Sequence, residues 1–103
     1  MAIKKKYSKD KKVCRITFII SKEMCEDFNV ISVVGDFNNW DPNKHKLSQR
    51  NSNGSASIEL VLKTGKEYQF RYLCDRQIWL NEPEADKQII THYGDSENSV
   101  LII

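Results

Sequence analysis

Apolar residues recur at every second position in three stretches of this chain, and helical spacing is nearly absent. Cys14, Ile16, Phe18 and Ile20 alternate with Arg15, Thr17 and Ile19; Ile58, Leu60 and Leu62 alternate with Glu59, Val61 and Lys63. Tyr68, Phe70, Tyr72 and Cys74 alternate with Gln69, Arg71 and Leu73. Side chains on a strand point to opposite faces in turn, so each run predicts a strand with one buried face. Val30 to Val34 is apolar on both sides and predicts a central strand, while Lys46–Ser48 suits a short edge strand. Ile78–Leu80 and Val100–Ile103 supply two more strands. Asn53-Gly54 is the strongest hairpin signal. Ser21–Asn29 reads as a polar connection and Glu82–Ser96, with Pro83 and Gly94, as a long loop. Roughly seven short strands, with turn signals about every ten residues, predict an all-β fold: an immunoglobulin-like sandwich of antiparallel strands.

A chain of 103 residues supports one domain. Hydrophobic content of 40% beside 29% charge suits a soluble globular protein rather than a disordered one. The net charge of +2 is too small to argue for nucleic acid. Positive charge gathers in Ile3–Lys12, so residues 1–12 are expected as a Lys-rich flexible tail, with the domain spanning 13–103. That tail carries the charge that phosphates or anionic lipid would meet. No apolar run approaches the ~20 residues of a membrane helix. Nor does the N-terminus show the apolar core of a secretory signal, so no membrane association and a cytoplasmic location are expected. Three cysteines without a Cys-x-x-Cys pair argue against a disulfide framework. Cys14 and Cys74 fall in phase with buried neighbours, whereas Cys25 reads as a spare thiol in a polar loop.

Catalytic patterns are missing from the sequence. His45 and His92 lack metal-ligand spacing, and no nucleophile elbow, phosphate loop or nucleotide-binding glycine pattern occurs. The acids sit where turns and loop faces ordinarily place them. The expectation is a non-enzymatic protein with no metal and no cofactor.

The aromatics say more. Gly35-Asp36-Phe37-Asn38-Asn39-Trp40-Asp41-Pro42 follows a strand and sets an indole among turn formers. Such a ring needs a cover, whether core, partner or ligand. Ile78 and Leu80 flank Trp79, which predicts both aliphatics inward and Trp79 outward. Arg71 is out of phase with Tyr68, Phe70 and Tyr72, so it too points outward. The turn near Asp75 then makes Arg71 and Trp79 direct or diagonal neighbours on one exposed face. Exposed indoles beside a guanidinium, with the amides of Asn38, Asn39 and Asn98, suit a pyranose. Its C–H face covers a ring and its hydroxyls need donors and acceptors. Single-stranded nucleic acid would want basic residues interleaved on that same face, and they lie elsewhere.

These residues resemble carbohydrate-binding module family 48, especially the glycogen-binding domain of the AMP-activated protein kinase beta subunit. They are also similar to the N-terminal (early set) domain of isoamylases and glycogen branching enzymes. The resemblance runs from about Val13 to Ile103. It rests on Gly35–Trp40, on Tyr68–Asp75, on Gln77-Ile78-Trp79 with Glu82-Pro83, and on Asn98–Ile102. It implies stacking of glucose units on Trp40 and Trp79, and hydrogen bonds to sugar hydroxyls from Arg71 and Asn98. The sequence departs from the family in having Arg71 where Lys is usual and Asp75-Arg76 where Asp-Gly is usual. It also has one extra residue before Trp79, a change that can flip a side chain to the other face. Tyr93 stands nearest the place of a family leucine that protrudes through the bound sugar.

The expected function is therefore a non-catalytic module binding α-1,4-glucan of the glycogen or starch type. Its expected sugar-binding residues are Trp40, Arg71, Trp79, Asn98, Tyr93 and Asn39. The resemblance also implies a protein partner, kinase-like or glucan-metabolising. The alternatives are an interaction or regulatory module without sugar binding and an accessory domain of a glycoside hydrolase.

Overall fold

The computed structural model describes residues 2–47, 49–91 and 96–103. Along them run strands β1 (Ala2–Tyr7), β2 (Val13–Ile20), β3 (Ile31–Gly35), β4 (Gln49–Arg50), β5 (Ala56–Lys63), β6 (Glu67–Cys74), β7 (Ile78–Leu80), β8 (Lys87–Ile90) and β9 (Glu97–Ile102). A short helix, α1 (Lys22–Asp27), joins β2 to β3. One sheet has the order β1-β2-β5-β4 and the other β3-β6-β9-β8, with β7 paired to β6. Every pairing is antiparallel. The two sheets close over a shared core as a β-sandwich, the expected fold class.

The alternating runs bury the faces their periodicity predicts. Cys14, Ile16, Phe18 and Ile20 from β2 meet Phe70, Tyr72 and Cys74 from β6 with almost no exposure. The Phe18 and Phe70 rings meet edge to face, 5.3 Å between centroids. Cys14 and Cys74 behave as small hydrophobes, and burial, with the Asp75 charge second, raises the Cys74 thiol to about 11. A polar link crosses the core edge: the Tyr72 hydroxyl donates to Glu82 Oε1 at 2.9 Å. Burial first, and then the Glu82 charge, holds that phenol well above its ordinary range. Ser99 Oγ accepts from Glu82 N–H at 2.8 Å and donates to Gln88 Oε1 at 3.0 Å, so the segment entering β8 is fastened to β9.

Several expectations need correction. The Lys-rich segment expected as a tail is strand β1, in register with β2 from Ala2↔Ile19 to Tyr7↔Cys14. Ile3 packs against the core, and Lys5 Nζ reaches across the sandwich rim to Asp86 (2.8 Å) and the Ile102 carbonyl (3.0 Å). The sandwich therefore begins at β1, not at Val13. Ser21–Asn29 contains α1, capped by Ser21 Oγ accepting from Met24 N–H, and Cys25 leans on the core from within it. The loop expected over Glu82–Ser96 contains β8. The predicted central strand is β3, at the end of its sheet. Its outer edge is satisfied by the passing chain, with Val33 N–H donating to His45 O and Leu47 N–H to Ile31 O. Of the expected edge strand at Lys46–Ser48, Lys46 makes a single bridge to Ser32, and Ser48 lies outside the described residues. Ile78, expected inward, is 47% exposed; only Leu80 of that pair packs on the core. No helix among the described residues is long and apolar enough to cross a membrane.

Candidate functional site

The outer face of the β3-β6-β9-β8 sheet carries an open groove of about 600 Å³, lined by Trp40, Gln69, Arg71, Trp79, Ile89, Ile90, Thr91 and Asn98. Strand register builds its floor. Phe70 pairs with Ser99, which sets Arg71 beside Asn98, and Ile89 pairs with Asn98 from the other side. Arg71, Asn98 and Ile89 thus form one row across three strands. Leu73 pairs with Trp79, so Trp79 shares that face one step along, diagonal to Arg71.

A hydrogen-bond chain fixes the polar floor. Arg71 Nε donates to Asn98 Oδ1, and an Arg71 Nη donates to Ser96 Oγ at 3.2 Å. Asn98 Nδ2 in turn donates to Gln69 Oε1 at 2.9 Å. With both ends of the Asn98 amide assigned, the guanidinium is held in place yet keeps further N–H donors for a ligand.

Trp40 arrives by a different route. After Gly35 the chain makes a 3₁₀ turn, Asp36–Asn38, and then two consecutive left-handed residues, Asn39 (φ 55°) and Trp40 (φ 58°). A bulky residue there is uncommon and costs about 1–3 kcal/mol. The surroundings impose it. Trp40 N–H donates to the Gly35 carbonyl at 2.9 Å, and its indole Nε1 donates to Asp36 Oδ1 at 2.9 Å. The other Asp36 oxygen accepts from Gln69 N–H at 2.8 Å, so one carboxylate ties the indole to the β6 backbone. Asn38, buried, holds the turn from beneath: its Oδ1 accepts from Gly35 N–H and its Nδ2 donates to Val33 O. The second Nδ2 hydrogen meets His45 Nδ1 at 2.9 Å, which makes that ring nitrogen an acceptor. Burial, with the Lys44 charge second, lowers the His45 pKa and favours the same neutral ring.

Loss of the Asp36 carboxylate should loosen this arrangement. In a Trp79→Phe background, where Trp40 is the remaining indole, Asp36→Ala is expected to raise acrylamide quenching of tryptophan fluorescence. It is also expected to cost about 1 kcal/mol of stability. Unchanged quenching and stability would show that Asp36 does not hold the ring.

Of the residues expected at the site, the structure brings Trp40, Arg71, Trp79 and Asn98 to one groove. Trp79 is 45% exposed on the outer face. The turn from Cys74 to Ile78 sets that face. Asp75 and Arg76 take left-handed backbone (φ 51° and 59°), Gln77 N–H donates to Cys74 O, and Ile78 then pairs with Cys74. Asn39 does not line the groove; it is exposed and serves the turn through its backbone. Asn38 is committed to internal hydrogen bonds and offers a ligand nothing. Tyr93 lies outside the described residues. Sequence reasoning missed Gln69 as a floor residue, and Ile89, Ile90 and Thr91 as a wall. The signal was Ile89-Ile90-Thr91, a β-branched run inside a segment whose polar flanks made it read as loop.

Chemically, the groove offers two indoles and an isoleucine wall around a floor of amides and a guanidinium. Among the described residues no group of three or more His, Cys, Asp and Glu is placed to hold a metal. No protein-family model matches the chain, and no curated protein matches it either.

Proposed function

We propose that this chain is a non-catalytic module that binds α-1,4-glucan, of the glycogen or starch type, in the groove between Trp40 and Trp79. The observation that carries the reading is the arrival of both indoles, by unrelated local structures, at one groove floored by Arg71, Asn98 and Gln69. The apolar face of a glucose unit covers an indole, and successive units reach successive rings. Hydroxyls at the rim take donors from Arg71 and the Asn98 amide. The likeness of Gly35–Trp40, Tyr68–Asp75 and Asn98–Ile102 to carbohydrate-binding module family 48 supports the same assignment. Three free thiols, two of them buried, suit a reducing, cytoplasmic setting. In that setting the module brings a partner, kinase-like or glucan-metabolising, to the polysaccharide.

Maltoheptaose titration tests this. Tryptophan emission is expected to shift and saturate between micromolar and low-millimolar ligand, roughly 4–8 kcal/mol of binding free energy. Trp40→Ala or Trp79→Ala is expected to weaken binding by ~1–3 kcal/mol, by analogy with base stacking on aromatics. Both variants should remain folded, because neither ring belongs to the core cluster. Cellohexaose, straight and β-linked, is expected to bind far more weakly. Wild-type protein indifferent to maltoheptaose would leave the groove to a protein partner, a reading that Ile90, 70% exposed at the rim, favours.

A further inference from the structure

The opposite face of the sandwich has a chemistry of its own. In the β1-β2-β5-β4 sheet, Ile3 pairs with the buried Phe18, so Lys4 and Lys6 point away from the core. The register puts Lys6 beside Arg15 and Arg15 beside Val61, and a further row holds Val13 beside Lys63. A shallow cleft of about 310 Å³ there is lined by Lys6, Tyr7, Ser8, Lys9, Val13, Arg15 and Val61, with no acid among them. The acids nearby are engaged. Glu59 pairs with Arg15 at 3.1 Å, and Asp10 accepts from Ser8 Oγ and Lys12 N–H within its own turn. Among the described residues Lys4, Lys6, Lys9 and Lys63 form no ion pair.

β1 is also the last strand of its sheet, and its outer edge meets no backbone partner among the described residues. An edge strand that presents N–H and C=O groups to solvent accepts another strand unless something blunts it. Here the lysines do so against neutral or basic chains and favour an acidic one. Lys4 and Lys6 stand about 6.8 Å apart on one side, the spacing of alternate residues on an extended peptide. Between them in sequence Lys5 is turned inward and tied to Asp86, which fixes the strand in position.

We propose that β1 is a docking edge for an extended acidic segment of a partner protein, added as a further antiparallel or parallel strand. Acids at alternate positions of that segment face Lys4 and Lys6, and its intervening residues lie toward Ile3 and Tyr7. The pattern argues against the other polyanions. Among the described residues Tyr7 is the single aromatic lining this cleft, so stacking of single-stranded nucleic acid finds no platform. A flat membrane would have to cover the whole sheet face, including Glu59, which shares a cleft with Lys4 and Lys6 there, whereas an added strand lies along the β1 edge.

The test uses the labelled peptide Ser-Glu-Val-Glu-Val-Glu-Val-Glu-Ser and fluorescence anisotropy. Binding is expected, weakening as salt rises. The Lys4→Glu/Lys6→Glu double variant is expected to raise Kd about tenfold or more. Lys4→Thr/Lys6→Thr, which keeps good strand formers, should fall between it and wild type. Melting temperature and maltoheptaose titration should match wild type in the threonine variant, which separates this edge from the groove. A peptide of equal charge with proline at its third and seventh positions lacks two backbone N–H groups and should bind about tenfold more weakly if strand pairing operates. Oligothymidine and phosphatidylserine vesicles should bind less than the peptide. Unchanged peptide affinity in both variants, equal binding of the proline peptide, or tighter binding of either other polyanion would overturn the proposal.

Discussion

Phe70→Ala is expected to lower unfolding free energy by ~3–5 kcal/mol, the cost of truncating a fully buried aromatic. Phe70 has no exposed surface and lies within 6.3 Å, centroid to centroid, of the rings of Phe18, Phe37 and Tyr72. Those rings come from both sheets and from the turn that bears Trp40, so the cavity would open where the layers join. A domain of this size holds only ~5–15 kcal/mol in reserve. Arg71→Ala, one residue along, should cost no more than about 1 kcal/mol, since its hydrogen bonds to Asn98 and Ser96 are made on the outer face. Urea denaturation of both variants measures the contrast. Equal destabilisation would mean that the strand phase of β6 is wrong, and with it the floor of the groove.

Gly35→Ala should be nearly as damaging, for a different reason. The Gly35 backbone is extended (φ −172°), so the conformation itself tolerates any residue. Space does not: an added Cβ would sit 2.5 Å from the Gln69 carbonyl oxygen and 2.6 Å from Phe70 Cβ. Both atoms belong to β6 and neither is the end of a flexible side chain, so β3 must part from β6. A loss of about 3 kcal/mol is expected, at the upper end for overpacking. Gly35 also gives its N–H to Asn38 and its carbonyl to Trp40. The variant should therefore lose glucan affinity even at temperatures where most of it remains folded, which Phe70→Ala need not. Wild-type stability in Gly35→Ala would contradict the close approach of the two strands.

The parts of the fold that were legible in the sequence are those where one rule dominates. In Cys14–Ile20 and Tyr68–Tyr72 one core-facing side forces alternation, and alternation fixes which side chains point out; Leu73, in phase with Arg71, is nevertheless buried. Arg71 and Trp79 could be placed on one face from that rule together with the turn at Asp75. What stayed hidden depends on tertiary support. β1 has the composition of a solvated tail; it is a strand because β2 pairs with it, Ile3 reaches the core and Lys5 finds Asp86 across the rim. β8 is held by β9 and by the Glu82–Ser99–Gln88 hydrogen bonds, so Ile90 can stay exposed while Ile89 is only half-buried, which breaks the expected pattern. Asn38 and Asn39 are the same residue type in adjacent positions. Only the turn geometry decides that one is buried as a brace and the other exposed at a left-handed corner.

The most direct test of a glucan groove is to see which nuclei respond. Side-chain N–H groups of Trp40, Trp79, Arg71 and Asn98 are all visible in ¹H–¹⁵N correlation spectra, and the chain has only two indoles to assign. On titration with maltoheptaose both indole Nε1 resonances and the Arg71 and Asn98 side-chain resonances are expected to shift together along one saturating curve. The amides of Lys4, Lys6 and Arg15 on the opposite face should stay in place. Shifts confined to that opposite face, or a spectrum that maltoheptaose leaves unchanged, would contradict the account.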